Sequence, residues 1–284
     1  MKIPAYYGFW HHLGNWLLKV SSWLVLLFLI LPILVIVPLS FNAEPFFSFT
    51  EGMLTLDPEA YSLRWYREIL DDPKWILAIK NSFFIGILST ILATILGTCA
   101  AVGLARDEMP FRRFITALLL SPMIVPLIIT AAGMFFFYSN LGLAGGYLGV
   151  ILAHAALGTP FVIITVTATL TGFDYSLARA ALNLGATPIR VFFDVIMPLI
   201  RPGVISGALF AFITSFDEVV VILFMAGPQQ RTIPRQMFSG LREQINPSIL
   251  AIATLLILLS IALLVTLELL RRRAERMRGI EIPH

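Results

Sequence analysis

The chain has 284 residues, of which 58% are hydrophobic and only 13% are charged, and its mean hydropathy is +0.88. A soluble protein of this size would expose much of that apolar surface to water, so the composition excludes a soluble fold and indicates an integral membrane protein. The net charge of +3 rests largely on arginines that flank apolar runs, which is typical of membrane topology rather than nucleic-acid binding. The single cysteine, Cys99, excludes an intrachain disulfide and a cysteine-based metal site.

Six stretches of the chain are apolar enough to cross a bilayer as helices, for which about 20 residues are needed. The first stretch begins too late and runs too long for a cleaved signal peptide, so we expect it to remain as a membrane anchor. The sequence therefore predicts an all-α membrane protein with six transmembrane helices. These predicted helices cover residues 20–41, 79–105, 114–138, 147–172, 202–225 and 249–270.

The distribution of lysine and arginine predicts the orientation of these helices. The N-terminus, the second and fourth loops and the C-terminus together hold 13 of the 20 basic residues. Because cytoplasmic segments of membrane proteins are enriched in lysine and arginine, both termini are predicted to be cytoplasmic and the first loop, residues 42–78, external. The arginines within residues 271–278 fit simple anchoring, and a site for anionic lipid or a partner is the alternative.

Small residues recur one or two turns apart in the second and fifth predicted helices, which allows helix backbones to approach closely in lipid. Prolines at positions 122, 126 and 160 predict kinks in the third and fourth helices. The small residues are Gly86, Ala93, Gly97 and Ala101 in the second helix, and Gly203, Gly207 and Ala211 in the fifth.

The predicted cytoplasmic loop at residues 173–201 has the pattern of two short helices joined by a turn. Asp174 can cap a helix over residues 175–184, Gly185 can end it in the left-handed conformation, and Pro188 can begin a second helix. One face of the first helix is apolar, and an apolar stripe exposed to the cytoplasm requires a partner. The residues of this stripe are Leu177, Ala181 and Leu184.

Within this loop, Arg179-Ala180-Ala181 is followed after three residues by Gly185 and after nine more by Val195-Ile196-Met197-Pro198. This spacing resembles the signature of the inner-membrane permease subunits of binding-protein-dependent ABC importers, which reads Glu-Ala-Ala, three residues, Gly, nine residues and Ile-x-Leu-Pro. Arg179 stands where the family has Glu, which reverses the charge at one position of the docking helix. The resemblance extends over about residues 75–269 and includes Asn81-Ser82.

The resemblance implies the type I ABC importer permease fold and three parts of the chain. Residues 1–75 would form the N-terminal tail, first transmembrane helix and external loop. Residues 76–270 would form the permease domain with its coupling loop at 173–201, and residues 271–284 a basic cytoplasmic tail. The implied coupling residues, which would contact the ATPase, are Leu177, Arg179, Ala180, Ala181, Leu184, Gly185 and Pro198.

The resemblance also implies a multi-pass protein of the bacterial inner membrane that works with other chains. These partners would be a second, different permease subunit, two ATPase subunits and an external solute-binding protein. The sequence has no glycine-rich loop followed by Lys and Ser or Thr, so ATP hydrolysis is assigned to the partner ATPase and the chain itself is predicted not to be an enzyme. ATP and magnesium would bind to that ATPase, and no cofactor is expected in this chain.

The segment Phe216-Asp217-Glu218-Val219-Val220, with Ala226-Gly227-Pro228 and Ile233-Pro234 after it, resembles the second permease of spermidine/putrescine importers. The resemblance implies import of a small cationic, polyamine-like solute. The alternatives are the same fold importing an aminophosphonate, iron, thiamine or an amino-acid derivative. A secondary transporter is less favoured because no internal repeat is detected.

Three ionisable residues are candidates for the solute pathway. Asp217 falls just past the middle of the fifth predicted helix, and we interpret it as facing the pathway, with Glu218 facing a neighbouring helix. The alternative is that one or both carboxylates bind helix termini or hydroxyl groups and stabilise the bundle. His154, in the fourth predicted helix, either forms an interhelical hydrogen bond or contributes to the pathway.

Overall fold

A computed structural model describes residues 8–106, 108–243 and 246–277. Contacts divide these residues into two units, one of residues 8–69 with 246–258 and the other of residues 70–243 with 259–277. The division predicted at residue 75 stays a prediction, as does the tail predicted for residues 271–284. Residues 278–284 of that tail, and residues 1–7 of the N-terminal tail, lie outside the described residues.

The described residues form a chain of α-helices with short 3-10 and π segments between some of them. The 3-10 segments are Pro58–Ala60 and Pro228–Gln230, and the π segment is Phe192–Ile196. The α-helices are α1 (Phe9–Leu39), α2 (Glu51–Leu54), α3 (Arg64–Asp71), α4 (Pro73–Leu104), α5 (Arg112–Ile124), α6 (Leu127–Asn140), α7 (Tyr147–Leu170), α8 (Tyr175–Asn183), α9 (Pro188–Val191), α10 (Met197–Asp217), α11 (Val220–Met225), α12 (Ile233–Glu243) and α13 (Ser248–Met277).

Five helical spans in the described residues are long and apolar enough to cross a bilayer, and a bent pair of helices supplies a sixth. The predicted all-α membrane architecture is therefore confirmed, while the orientation of the termini stays a prediction. The bent pair consists of α5 and α6, which meet at 105° across Val125 and Pro126. The third predicted helix is broken here because Pro126 provides no backbone N–H and forces Val125 into an extended conformation.

The fifth predicted helix, residues 202–225, is wrong in its boundaries. The helical span begins earlier, at Pro188, and ends at Asp217. Glu218 is extended, with φ −74° and ψ 119°, and α11 begins two residues later. Asp217 is therefore the last residue of α10 rather than a residue near the middle of a span. Because the sequence is equally apolar on both sides of Glu218 and contains no proline there, hydropathy alone does not reveal this break.

In the first unit, the most apolar 18 residues of α1 include no buried residue, so the bilayer is their main environment. The segment that follows α1 folds around two buried side chains, Asn42 and Trp65. The Trp65 indole N–H donates to the Asn42 carbonyl oxygen at 2.7 Å, and the Asn42 amide donates to the Phe46 and Ser48 carbonyl oxygens. These hydrogen bonds give the predicted external loop an ordered structure.

In the second unit, α4, α7 and α10 form the core, and their backbones approach closely at small residues. A Cβ atom on Gly97 would lie 2.6 Å from the Cβ of Val162, and one on Gly207 would lie 2.8 Å from the Cα of Val162. Similarly, a Cβ atom on Gly158 would lie 3.0 Å from the Cβ of Ala211. The close approach predicted from the small residues of the second and fifth helices is confirmed at these positions.

We expect Gly207→Ala to lower the thermal unfolding temperature of the purified subunit in detergent. Because the added methyl group has no space against α7, we expect a cost of about 1–3 kcal/mol. Gly133→Ala in α6 is the matched control, since no atom lies within 4 Å of the position its Cβ would take. Equal unfolding temperatures for the two variants would contradict the assigned α7–α10 contact.

Candidate functional site

The helix predicted after Asp174 is confirmed as α8, and its docking to an ATPase stays a prediction. The Asp174 carboxylate accepts a hydrogen bond from the Ser176 backbone N–H at 2.8 Å, as expected of an N-cap. Hydrogen bonds from Ser176 hold the pKa of Asp174 below its ordinary value, and the charge of Arg179 lowers it further. The cap therefore remains ionised at neutral pH and stabilises the start of α8.

The turn after α8 has the geometry predicted from Gly185. Its φ is +87°, in the left-handed region that favours glycine. The backbone N–H groups of Gly185 and Ala186 donate to the carbonyl oxygens of Leu182 and Ala181, at 3.0 and 3.1 Å. These two hydrogen bonds form a Schellman motif, which satisfies carbonyl groups at the end of the helix. Pro188 then begins α9, as predicted.

The apolar stripe of α8 is open on the surface of the chain. Leu177 is 49% exposed and Leu184 is 89% exposed, whereas Ala178, on another face of the helix, is buried. Since α8 packs against α9 and the π segment, its exposed face is free to contact another protein. The other predicted coupling residues are exposed at Arg179, Ala180 and Pro198 and half-buried at Ala181.

The two adjacent acidic residues have different surroundings. Asp217 is exposed at the end of α10, and the described residues provide no hydrogen-bond or ion-pair partner for its carboxylate. Glu218 is only 8% exposed and accepts a hydrogen bond from the Val221 backbone N–H at 2.9 Å. Glu218 thus binds the N-terminus of α11, while Asp217 remains available to a ligand. Their roles in a solute pathway stay predictions.

Three phenylalanine rings pack together next to the end of α10. The ring of Phe216 lies 5.2 Å from that of Phe83 in α4 and 5.3 Å from that of Phe212, measured between centroids. Aromatic faces attract cations, and of these rings Phe83 is 39% exposed whereas Phe216 is only 8% exposed. These rings were not predicted from the sequence, although Phe212 and Phe216, four residues apart, fall on one face of a helix.

His154 lies inside the three-helix core of the second unit and is 1% exposed. Its Nδ1 is 2.8 Å from the Ser215 hydroxyl oxygen, which joins α7 to α10. The described residues give its Nε2 no hydrogen-bond partner. The observed contact is the interhelical hydrogen bond considered for this residue, and a part in the solute pathway stays a prediction.

Polar side chains bind the loop between α11 and α12 to the third turn of α4 and to the start of α7. The Asn81 amide donates to the carbonyl oxygens of Gln229 and Arg231, at 2.7 and 2.8 Å. The Tyr147 hydroxyl oxygen lies 2.9 Å from both the Asn81 side-chain oxygen and the Gln229 carbonyl oxygen, so its single O–H is shared between these two acceptors. This network closes the end of the bundle opposite α8. Asn81 was noted in the sequence as a family feature, but its partners were not identified.

No metal centre was predicted for this chain, and the described residues contain no group of three or more His, Cys, Asp or Glu side chains that could hold a metal ion. The described residues place the exposed carboxylate of Asp217 at one end of the bundle and the exposed apolar face of α8 at the other.

Comparison with known proteins identifies a family and several relatives. Residues 93–276 match the model of the family described as "Binding-protein-dependent transport system inner membrane component". The chain is 35% identical over 241 residues to the putrescine transport system permease protein PotI of Escherichia coli (strain K12), which covers 81% of this chain and 82% of PotI. It is 31% identical over 246 residues to the spermidine/putrescine transport system permease protein PotC of Haemophilus influenzae, which covers 87% of this chain and 93% of PotC.

Solved structures show the same fold. A chain of a bacterial ABC transporter that imports the acidic polysaccharide alginate superimposes with a TM-score of 0.74 at 17% identity, over 93% of this chain and 99% of that one. A chain from the alginate transporter in complex with a periplasmic protein bound to an alginate pentasaccharide gives a TM-score of 0.62 at 15% identity, over 96% of this chain and 99% of that one.

We expect Glu218→Leu to destabilise the purified subunit, because it leaves the buried N–H of Val221 without an acceptor, at a cost of about 1–3 kcal/mol. Glu218→Gln keeps a side-chain oxygen at this position and should retain most of the stability. Asp217→Asn should change stability little, since its carboxylate has no partner among the described residues. Thermal unfolding in detergent measures all three, and equal stability of Glu218→Leu and the parent protein would contradict the capping role.

Proposed function

Because the chain belongs to the family of binding-protein-dependent transport system inner membrane components, we propose that it carries a small cationic, polyamine-like solute by alternating access. The chain is a multi-pass inner-membrane permease subunit of an ABC importer. The finer proposal concerns which solute crosses and how the chain moves it. A polyamine is an extended molecule with several ammonium groups, so its pathway requires separated negative or aromatic surfaces.

The observation that supports a cationic solute is the exposed carboxylate of Asp217. It lies at the C-terminal end of α10, where the helix dipole concentrates negative partial charge, so the carboxylate and the dipole add their fields. The partly exposed ring of Phe83 packs against Phe216, the residue before Asp217, and would add cation–π attraction. The relatives named for putrescine and spermidine transport support the same solute class.

The proposed mechanism needs a second permease subunit, because the helices of this chain alone would line only one side of a pathway. The solute would pass between the two permeases after release from an external solute-binding protein, and the two would rock relative to each other. The exposed stripe of α8 would bind in a groove of a partner ATPase. ATP and magnesium would be bound and used by that ATPase, and this chain would perform no catalysis.

Arg179 would enter this groove as a cation where the family signature has an anion. Its guanidinium is exposed on α8, so it can reach a carboxylate or a helix C-terminus of the ATPase. A solvated position at the rim of the groove is the alternative, in which the charge would contribute little.

We expect Asp217→Asn to reduce uptake of radiolabelled putrescine or spermidine by about tenfold or more in proteoliposomes that contain the whole transporter. The reason is the loss of one charge-assisted contact, worth about 1.5–3 kcal/mol. Stimulation of ATP hydrolysis by the binding protein should persist, because the change lies far from α8.

Asp71→Asn is the matched control, since Asp71 is also an exposed aspartate at the end of a helix, in this case α3. It should leave uptake unchanged. Full polyamine uptake by correctly assembled Asp217→Asn transporter would contradict the proposed role of this carboxylate and remove the structural support for a cationic solute.

We expect Gly185→Val to uncouple ATP hydrolysis from uptake while membrane insertion remains normal. A β-branched residue at φ +87° is strained by about 1–3 kcal/mol, which would change the angle between α8 and α9. The measurement is the number of solute molecules taken up per ATP hydrolysed in proteoliposomes.

Two other variants serve as controls for this experiment. Gly185→Asn should remain coupled, because asparagine tolerates the left-handed conformation. Gly172→Val, at an exposed glycine without positive φ, should also remain coupled. Normal coupling in Gly185→Val would show that the turn after α8 transmits no force.

A further inference from the structure

Two arginine side chains, Arg231 and Arg235, are held in place around the loop that precedes α12. The Arg231 Nη1 donates to the Gln236 side-chain oxygen at 2.8 Å. The Arg235 Nη1 donates to the carbonyl oxygens of Ala226 and Gly227, at 3.0 and 2.8 Å. These hydrogen bonds restrict both guanidinium groups before any ligand arrives, so a ligand that binds them pays little additional conformational entropy.

The charges of these two arginines are not neutralised within the described part of the chain. Both side chains are half-buried, and neither forms an ion pair with a described carboxylate. Burial lowers the pKa of Arg235, and the nearby charge of Arg231 lowers it further. The Nε of Arg231 is buried and has no hydrogen-bond partner among the described residues. Two like charges with unused donor groups are stabilised when an anion binds to them.

The location of this pair indicates which anion it meets. The loop that carries Arg231 is hydrogen-bonded to Asn81, in the third turn of α4, and to Tyr147, the first residue of α7. The two arginines therefore belong to a segment held at the level of the start of α7, at the end of the core opposite α8. A macromolecule that approaches this end would reach the guanidinium groups more directly than a lipid headgroup would.

We infer that Arg231 and Arg235 form a docking site for an acidic side chain of the external solute-binding protein. This inference rests on the proposed function, which gives the chain such a partner at the end opposite α8. A carboxylate accepts two parallel hydrogen bonds from a guanidinium, and a second guanidinium beside it adds charge and fixes the orientation. The pair thus contributes both affinity and alignment to the docking of the binding protein.

The test uses the assembled transporter in nanodiscs and the solute-binding protein that stimulates its ATP hydrolysis. We expect Arg231→Gln with Arg235→Gln to weaken binding of that protein by about tenfold or more, and to make binding less sensitive to salt. Arg231→Lys with Arg235→Lys keeps both charges and should retain most of the affinity. Retained affinity in this second variant would show that the first does not act by disrupting the fold of the loop.

Lys74→Gln with Lys80→Gln is the matched control, because it removes two exposed charges from the start of α4. It should have little effect on binding of the solute-binding protein. Equal losses in the glutamine variants of the arginine pair and the lysine pair would overturn the inference, since only overall charge would then matter. Unchanged affinity after the arginine substitutions would overturn it as well.

Nanodiscs with low and high fractions of phosphatidylglycerol separate a lipid phosphate from a protein carboxylate. If the arginine variant loses a dependence on phosphatidylglycerol but keeps its affinity for the binding protein, the pair binds lipid and the inference is wrong. If the parent transporter itself neither binds nor responds to any solute-binding protein, the proposed function fails and the inference fails with it. A defect confined to the arginine variant supports the inference.

Discussion

The close approach of α4, α7 and α10 is the constraint on which the rest of the second unit depends. Lipid gives two apolar helices no hydrophobic reason to associate, so their contact relies on short backbone distances and on hydrogen bonds between side chains. Gly97, Gly158 and Gly207 permit the short distances, and the contact between His154 and Ser215 adds a polar link. The positions of α8, at one end of this core, and of Asp217, at the other, follow from how these three helices pack.

Breaks in helices are costly inside a bilayer, because the freed backbone groups find no water there. After α10 this cost is reduced by Glu218, whose carboxylate accepts a hydrogen bond from the Val221 backbone N–H. Glu218 stabilises the break, whereas its neighbour Asp217 forms no hydrogen bond or ion pair with the described residues. Two adjacent carboxylates that look equivalent in the sequence thus have separate surroundings, and only one of them is open to a ligand.

Local features of this protein were predictable from the sequence, and long-range features were not. The loop containing Gly185 was predicted because caps, turns and spacing act within a few residues. The break at Glu218 was missed because apolar residues lie on both sides of it and no proline or glycine marks it. The Asn81 network was missed because Asn81 and Gln229 are 148 residues apart in the chain, and their pairing depends on packing of the whole core.

The continuity of α10 connects the two ends of the proposed mechanism. This helix has 21 residues, so it spans about 30 Å at 1.5 Å per residue. It begins directly after the π segment of the coupling loop and ends at Asp217. Beyond the break, α11 packs against α6, and the loop after α11 is hydrogen-bonded to α4 and α7. A displacement of α8 would therefore reach Asp217 through α9, the π segment and α10, and the Glu218–Val221 hydrogen bond is the point where α10 meets the segment bound to α4 and α7.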